Sequence, residues 1–342
     1  MPGSPLRLVD VAAHAGVSLA TASRALTGRD GVSAQVAAHV RQVASELGYV
    51  VNLHARTLAG GSTPTVGLIV HEIGDPYFAE IASGVLRLAG AEQRMVQICH
   101  SGGDPEVELR QVRMLIAHRV GVIIVAGSGY TDPALQAEAK AELAAFRKGG
   151  GRVAVIGRHN LGADAVVPDN QAGGHAVAEH LLSLGHRRIA VAAGPERLTT
   201  VADRMTGIAG ALARAGLTSA ESPVVRSDFT RDGGRLAADQ ILQRHPRTTA
   251  IIALNDVMAI GVLSALRARG VAVPAQMSVA GFDDVSVAAD LGPSLTTIRL
   301  PMAQMGELAL ELALKPPLSR LRRKWTGHQL VVRESTGPAP AR

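Results

Sequence analysis

Leu8, Val11, Ala12 and Ala15 recur near the start of the chain at the spacing of one helix face. Gly16 breaks that helix, as a tight turn requires. Ser18 suits the N-cap of a second, short helix carrying Thr21, Ser23 and Arg24, side chains that bond phosphates and base edges. A third amphipathic helix is predicted over 34–47, with Val36, Val40, Val43, Ala44 and Leu47 on one face and Gly48 at its end. The pattern predicts an N-terminal all-α helix-turn-helix headpiece that enters a DNA groove. A small helical hairpin that only packs is the alternative the pattern alone leaves open.

After Gly60-Gly61-Ser62-Thr63-Pro64 the texture changes. Apolar runs at 65–70, 95–99, 121–126, 152–157, 188–193, 250–254 and 278–281 read as strands. Amphipathic stretches near 77–91, 104–118, 133–147, 170–184, 203–215, 232–244 and 255–269 lie between them. Such alternation means βαβ units on parallel sheets, and about ten strands suggest two doubly wound lobes. Ligands bind such sheets at the carboxyl ends of the strands.

A chain of 342 residues suggests two or three domains. No stretch of about 18 apolar residues lacks charge, so no membrane span is expected. The start of the chain lacks a signal peptide's apolar region, which points to the cytoplasm and, for a DNA binder, the nucleoid. The single cysteine, Cys99, rules out an internal disulfide and reads as a buried strand residue. The net charge of +6 is concentrated at the end, where residues 315–342 hold seven Lys or Arg and one acid. Residues 1–62 hold five Arg and three acids, so bulk charge adds little to the DNA argument.

The sequence carries no recognisable enzyme signature. No Walker-type loop occurs, and Gly127-Ser128-Gly129 places Asp132 where a dinucleotide fingerprint needs its third glycine. The twelve His are scattered, so neither a metal nor a cofactor is expected. No Gly-x-Ser-x-Gly elbow appears. A sugar receptor or an α/β enzyme without a DNA role are the competing classes.

The residues Asp10-Val11-Ala12, Ala15-Gly16-Val17-Ser18, Thr21, Ser23-Arg24, Val32-Ser33, Leu47-Gly48-Tyr49, Asn52 and Leu58-Ala59-Gly60 stand in specific order and spacing. In these the chain resembles the lactose repressor family of bacterial regulators. The resemblance implies a headpiece over 1–51, a hinge helix and linker over 52–63, and a periplasmic-binding-protein-like core over 64–342. Within that core, lobe 1 would comprise about 64–161 and 292–322, and lobe 2 about 162–291 and 323–342. The chain would cross between them near 160–164, 290–293 and 320–325.

The resemblance also implies roles. Ser18, Leu19, Ala20, Thr21, Ser23, Arg24 and Ser33 would contact DNA from the headpiece. Asn52, Ala55, Leu58 and Ala59 would do so from the hinge, with Leu58 wedged into the minor groove. Tyr77, Phe78, Arg158, Thr200, Arg204, Phe229, Asn255 and Asp283 would line a small-molecule cleft. Asp203-Arg204 would open a helix. By residue type alone, Asp256 suits the cap of the helix that follows Asn255. Two departures qualify the ligand: the acid many members carry before Arg158 is Gly157 here, and the Arg of purine-responsive members is Leu198. A sugar or sugar acid is the expected effector. The chain's last stretch, 331–342, reads as a strand and a Pro-rich tail where tetrameric members carry a leucine heptad helix, so a homodimer on double-stranded operator DNA is expected. The implied function is transcriptional repression under allosteric control by that molecule.

Overall fold

A computed structural model describes residues 6–28, 30–49 and 65–341. The chain divides into two compact units, Met1–Thr63 and Pro64–Arg342.

The first unit holds α1 (Leu8–His14), α2 (Leu19–Thr27) and α3 (Ala34–Glu46). Val11, Ala22 and Val40, one from each helix, are fully buried, and half-buried Val17, Val32 and Leu47 close their cluster. With alanines filling the rest, the helices approach closely on little side-chain volume. Gly16 and Gly28 take the left-handed conformation at the two helix ends, φ +64° and +68°. Ser18 and Ser33 cap α2 and α3, each accepting the N–H three residues on, from Thr21 (3.1 Å) and Val36 (3.3 Å).

The second unit carries two parallel sheets. The first consists of β1 (Thr65–Val70), β2 (Met95–His100), β3 (Val122–Ala126), β4 (Arg152–Ile156), β5 (Asp164–Pro168) and β11 (Arg323–Thr326), in the order β11-β5-β4-β3-β1-β2. The second consists of β6 (Ile189–Ala193), β7 (Val224–Arg226), β8 (Ala250–Ala253) and β9 (Ser278–Ala280), in the order β7-β6-β8-β9. Alternation puts Leu68, Ile124 and Ile156 on one face of the first sheet and Ile69, Ile123 and Val155 on the other, both faces buried. The second sheet behaves likewise, with Val191 and Ile252 against one cluster and Ala192 and Ile251 against another.

Helices α4 (Pro76–Ala91), α5 (Pro105–Ala117), α6 (Ala137–Lys148) and α11 (Met302–Leu314) serve the first lobe; α7 (Asn170–Ser183), α8 (Thr199–Arg214), α9 (Arg231–Arg244) and α10 (Asp256–Ala268) serve the second. Glycine sets how closely α7 and α8 pack. A Cβ at Gly207 would lie 1.9 Å from the Gln171 carbonyl oxygen, and one at Gly174 would lie 2.3 Å from that of Arg204.

The lobe boundaries differ from those expected. β5 pairs with β4, and β11 pairs with β5, so residues 164–168 and 323–326 belong to the first sheet and not the second. The first crossing follows Pro168. The other two form an antiparallel ribbon of β10 (Thr297–Arg299) and β12 (Gln329–Val331). Beyond β12 the chain rejoins the second lobe, where Val279 N–H donates to the Ser335 carbonyl at 2.8 Å. Among the described residues no helix is long and apolar enough to cross a membrane. Cys99 is free and buried in β2.

Candidate functional site

Between the lobes lies a cleft of about 520 Å³, lined by loops that leave the strand ends. Asp75 caps α4 by accepting the Tyr77 N–H at 3.0 Å, and so turns Tyr77 and Phe78 onto the cleft wall. The two rings meet edge to face with centroids 4.9 Å apart. Phe229 faces the cleft from beyond β7, and Thr200 from the first turn of α8. Arg204 lies on the second turn of α8, which starts at Thr199; the expected start at Asp203 was one turn late.

Arg204 and Asp283 form the centre. Both are buried, and their closest side-chain atoms are 2.6 Å apart. Arg204 also donates Nε–H to Asn170 Oδ1 at 2.9 Å and an Nη1–H to the Leu254 carbonyl, and its guanidinium stacks 3.7 Å over Phe282. Burial pushes the Asp283 carboxyl up to about 7, while Arg204 pulls it back. Asp283 and Asp284 sit at φ +116° and +59°, a region that L residues with side chains rarely occupy.

Asn255 lines the cleft but spends its Oδ1 on capping α10, accepting the Met258 N–H at 2.8 Å. Asp256, expected as that cap, accepts instead from Val285 N–H (2.9 Å) and Thr297 Oγ1–H (2.6 Å). Arg158 departs from expectation more sharply. Its half-exposed guanidinium is held by Asp203 at 2.7 and 3.1 Å, and it does not line the cleft. Arg158 follows β4 in the first lobe and Asp203 belongs to α8 in the second, so the pair ties lobe to lobe. The missing acid at 157 has a steric reason: Gly157 takes φ +105°, and a Cβ there would lie 2.2 Å from the Gly127 carbonyl oxygen.

The structure also adds lining residues that motif reading did not single out: His71, Glu72, Ser128, Arg197 and Asp228. Ser128 accepts the Thr200 N–H at 3.0 Å, and Thr131 N–H donates to the Arg197 carbonyl at 2.8 Å, so the lobes are hydrogen-bonded beside the cleft. Burial keeps His71 neutral, its pKa down at about 3. The one available signal was position, since each of these residues follows a strand's carboxyl end.

In the first unit, Ser18, Leu19, Ala20 and Arg24 are exposed and Thr21 and Ser23 half-buried along α2; Ser33 is exposed at the cap of α3. Leu19 is 52% exposed, unusual for a leucine beside an available apolar cluster. Among the described residues Arg24 has no ion pair, which leaves its donors free. The expected hinge contacts Asn52, Ala55, Leu58 and Ala59 lie outside the described residues.

The profile of the bacterial regulatory proteins, lacI family, matches residues 7–52, and that of a periplasmic binding protein-like domain matches 178–336. The chain is 35% identical over 308 residues to the HTH-type transcriptional regulator GalS of Salmonella typhimurium, covering 90% of this chain and 88% of the relative. The chain belongs to the lacI family. This lacI-family regulator is also 32% identical over 339 residues to the HTH-type transcriptional regulator DegA of Bacillus subtilis, covering 97% and 98% of the two chains. Its fold matches the Lac repressor dimer bound to operator and the anti-inducer ONPF, with TM-score 0.82 at 26% identity over 98% of this chain and 100% of the other. A transcriptional regulator CelR–cellobiose complex matches with TM-score 0.70 at 30% identity, covering 96% and 99%. As a lacI-family member the chain is a DNA-binding transcriptional regulator, a helix-turn-helix headpiece joined to an α/β core of periplasmic-binding-protein type.

Proposed function

We propose that this regulator is a repressor that binds a near-palindromic operator as a homodimer, and that an uncharged sugar in the cleft controls it. The observation that carries the ligand reading is the cleft's charge. Glu72, Asp75, Asp228 and Asp283 face only Arg197 and Arg204, and Arg204 is already held by Asp283, Asn170 and the Leu254 carbonyl. A carboxylate or phosphate on the ligand meets net repulsion there; hydroxyls find acceptors, and apolar C–H faces find Phe78 and Phe229. The sugar acid allowed by sequence is therefore set aside. The solved relatives that hold cellobiose or ribose support the same class.

On this reading the chain binds its ligand without transforming it. Each headpiece presents α2 to a major groove, with Arg24 as the strong base-reading donor and Leu19 and Ala20 against thymine methyls or as close-approach positions. Asn52, Ala55, Leu58 and Ala59, which lie outside the described residues, contact DNA on this reading, with Leu58 from each protomer wedged at the operator centre. Ligand binding changes how the lobes meet; a coupling of about 1–3 kcal/mol alters operator affinity about 5–150-fold. Differential scanning fluorimetry against neutral sugars, sugar acids, sugar phosphates and nucleobases tests the ligand. A ligand at about 100 times its Kd adds about 2.7 kcal/mol of stability. A shift from neutral sugars alone, with a matching change in operator affinity by fluorescence anisotropy, is the expected result. A shift from sugar phosphates or acids alone would overturn the charge argument.

A further inference from the structure

The outer edge of the first sheet is β11, and nothing in the regulator's proposed cycle uses it. The carbonyls of Arg322 and Thr326 accept from Ala165 and Asp169 on the β5 side. Strand alternation then turns the backbone N–H and C=O of Arg323 and Trp325 toward the open edge. Trp325 is the chain's single tryptophan and is 66% exposed. It stands opposite Val167 in register, so it extends the apolar face of the first sheet beyond its last covered strand. The approach to the strand is apolar too, with Leu318 63% and Leu321 44% exposed. Charge is one-sided: Arg320, Arg323 and Lys324 have no ion pair among the described residues, and between Glu311 and Glu334 the chain has no acid.

Cationic side chains on an edge strand commonly serve only to discourage pairing. Protection does not call for an exposed tryptophan between them. Two copies meeting edge to edge would bring like charges together, so self-pairing is disfavoured. We propose that β11 is a docking edge for an acidic extended segment of a partner protein, added as a seventh strand. The register specifies the partner's chemistry: two adjacent acidic residues oppose Arg323 and Lys324, on opposite faces of the sheet, and an apolar residue opposes Trp325.

Trp325 itself reports the event. The full chain is titrated with an eight-residue capped peptide of threonines carrying two adjacent glutamates and then a valine at its centre, and tryptophan emission is followed. The expected result is a saturable blue shift as the indole leaves water. The shift is lost when the glutamates are replaced by lysines, or when alternate backbone nitrogens are methylated so that the strand cannot pair. An R323E/K324E variant, confirmed as folded by an unchanged Tm and unchanged operator affinity, binds the peptide at least about tenfold more weakly. The absence of any shift from the acidic peptide, or equal binding of the lysine or methylated peptide, overturns the proposal. So does saturation of the tryptophan signal by a 30-base-pair duplex but not by the peptide, which would make the edge a nucleic-acid contact. Operator binding is read separately, so failure here leaves the regulatory reading untouched.

Discussion

Glu108 on α5 is buried to 1% exposure, with one oxygen accepting from Gln136 Nε2 at 2.9 Å and the other without a hydrogen-bond partner among the described residues. Burial pushes its carboxyl up to about 7 from an ordinary 4.5, with the Gln136 hydrogen bond pulling the other way. The folded state therefore keeps a proton that the unfolded chain loses. Stability from this group is fully present below pH 4.5 and is lost as pH rises through 7. At about 1.4 kcal/mol per pH unit, the ionised group costs the fold about 3 kcal/mol above pH 7. Glu108→Gln keeps the acceptor for Gln136 and never ionises, so it imitates the protonated form. Guanidinium unfolding at pH 5 and pH 8 measures the difference. The variant is expected to exceed wild type by about 3 kcal/mol at pH 8 and by under about 1 kcal/mol at pH 5. His71 and His159, held down to about 3 and 4 by burial, destabilise the fold as pH falls below 6.5, but equally in both proteins, so their contribution cancels. An equal advantage at both pH values would refute the reasoning.

Three further predictions concern the site, its scaffold and the DNA helix. Asp283→Asn leaves Arg204 a neutral acceptor; it should cost about 1–3 kcal/mol of stability and weaken the effector at least about tenfold, with effector-free operator affinity unchanged. Calorimetry with the sugar that shifts wild type checks this, and normal ligand affinity would remove Asp283 from the site. Gly207→Ala sets a Cβ 1.9 Å from the Gln171 carbonyl and should destabilise by about 1–3 kcal/mol despite alanine's better helix propensity; a raised Tm would show that α7 and α8 are not packed so closely. Arg24→Ala should lose about 1–3 kcal/mol of operator binding and relax one base position per half-site, whereas an equal loss on every sequence would mark a phosphate contact.

The two domain types and most elements were legible in sequence because the periodicities are strong and long. The short strands β10 and β11 were not, and β5 at Asp164–Pro168 ends in proline and lacks a long apolar run. Missing β5 is what misplaced the lobe boundary, since a strand's sheet depends on which neighbour it pairs with and not on its own pattern. The cleft was legible through resemblance: of the eight residues expected there, Tyr77, Phe78, Thr200, Arg204, Phe229, Asn255 and Asp283 converge, and Arg158 does not. Arg158 and Asp203 lie 45 residues apart, and no local pattern shows that they meet. The cap of α10 falls to Asn255 and not to Asp256, because a cap depends on which residue precedes the helix by one, a boundary that sequence places only within a few residues.

Asp283 links the cleft to the lobe crossing. Its backbone is strained, as is that of Asp284, and such conformations cost about 1–3 kcal/mol each and persist only where their surroundings impose them. Here the surroundings do. Asp283 N–H donates to the Ile298 carbonyl at 2.8 Å, Leu300 N–H donates to the Asp283 carbonyl at 3.2 Å, and Asp284 is paired with Arg299 and Arg333. Ile298 and Arg299 belong to β10, Leu300 follows it, and Arg333 lies just past β12, the two strands on which the chain passes between lobes. The carboxylate that would hold a ligand hydroxyl is thus bonded through its own backbone to the crossing ribbon. A ligand that moves Asp283 must also move β10 or break these bonds. Such a connection is one requirement of coupling between cleft and lobe arrangement; the other is a second arrangement of the ribbon whose balance with this one the ligand biases.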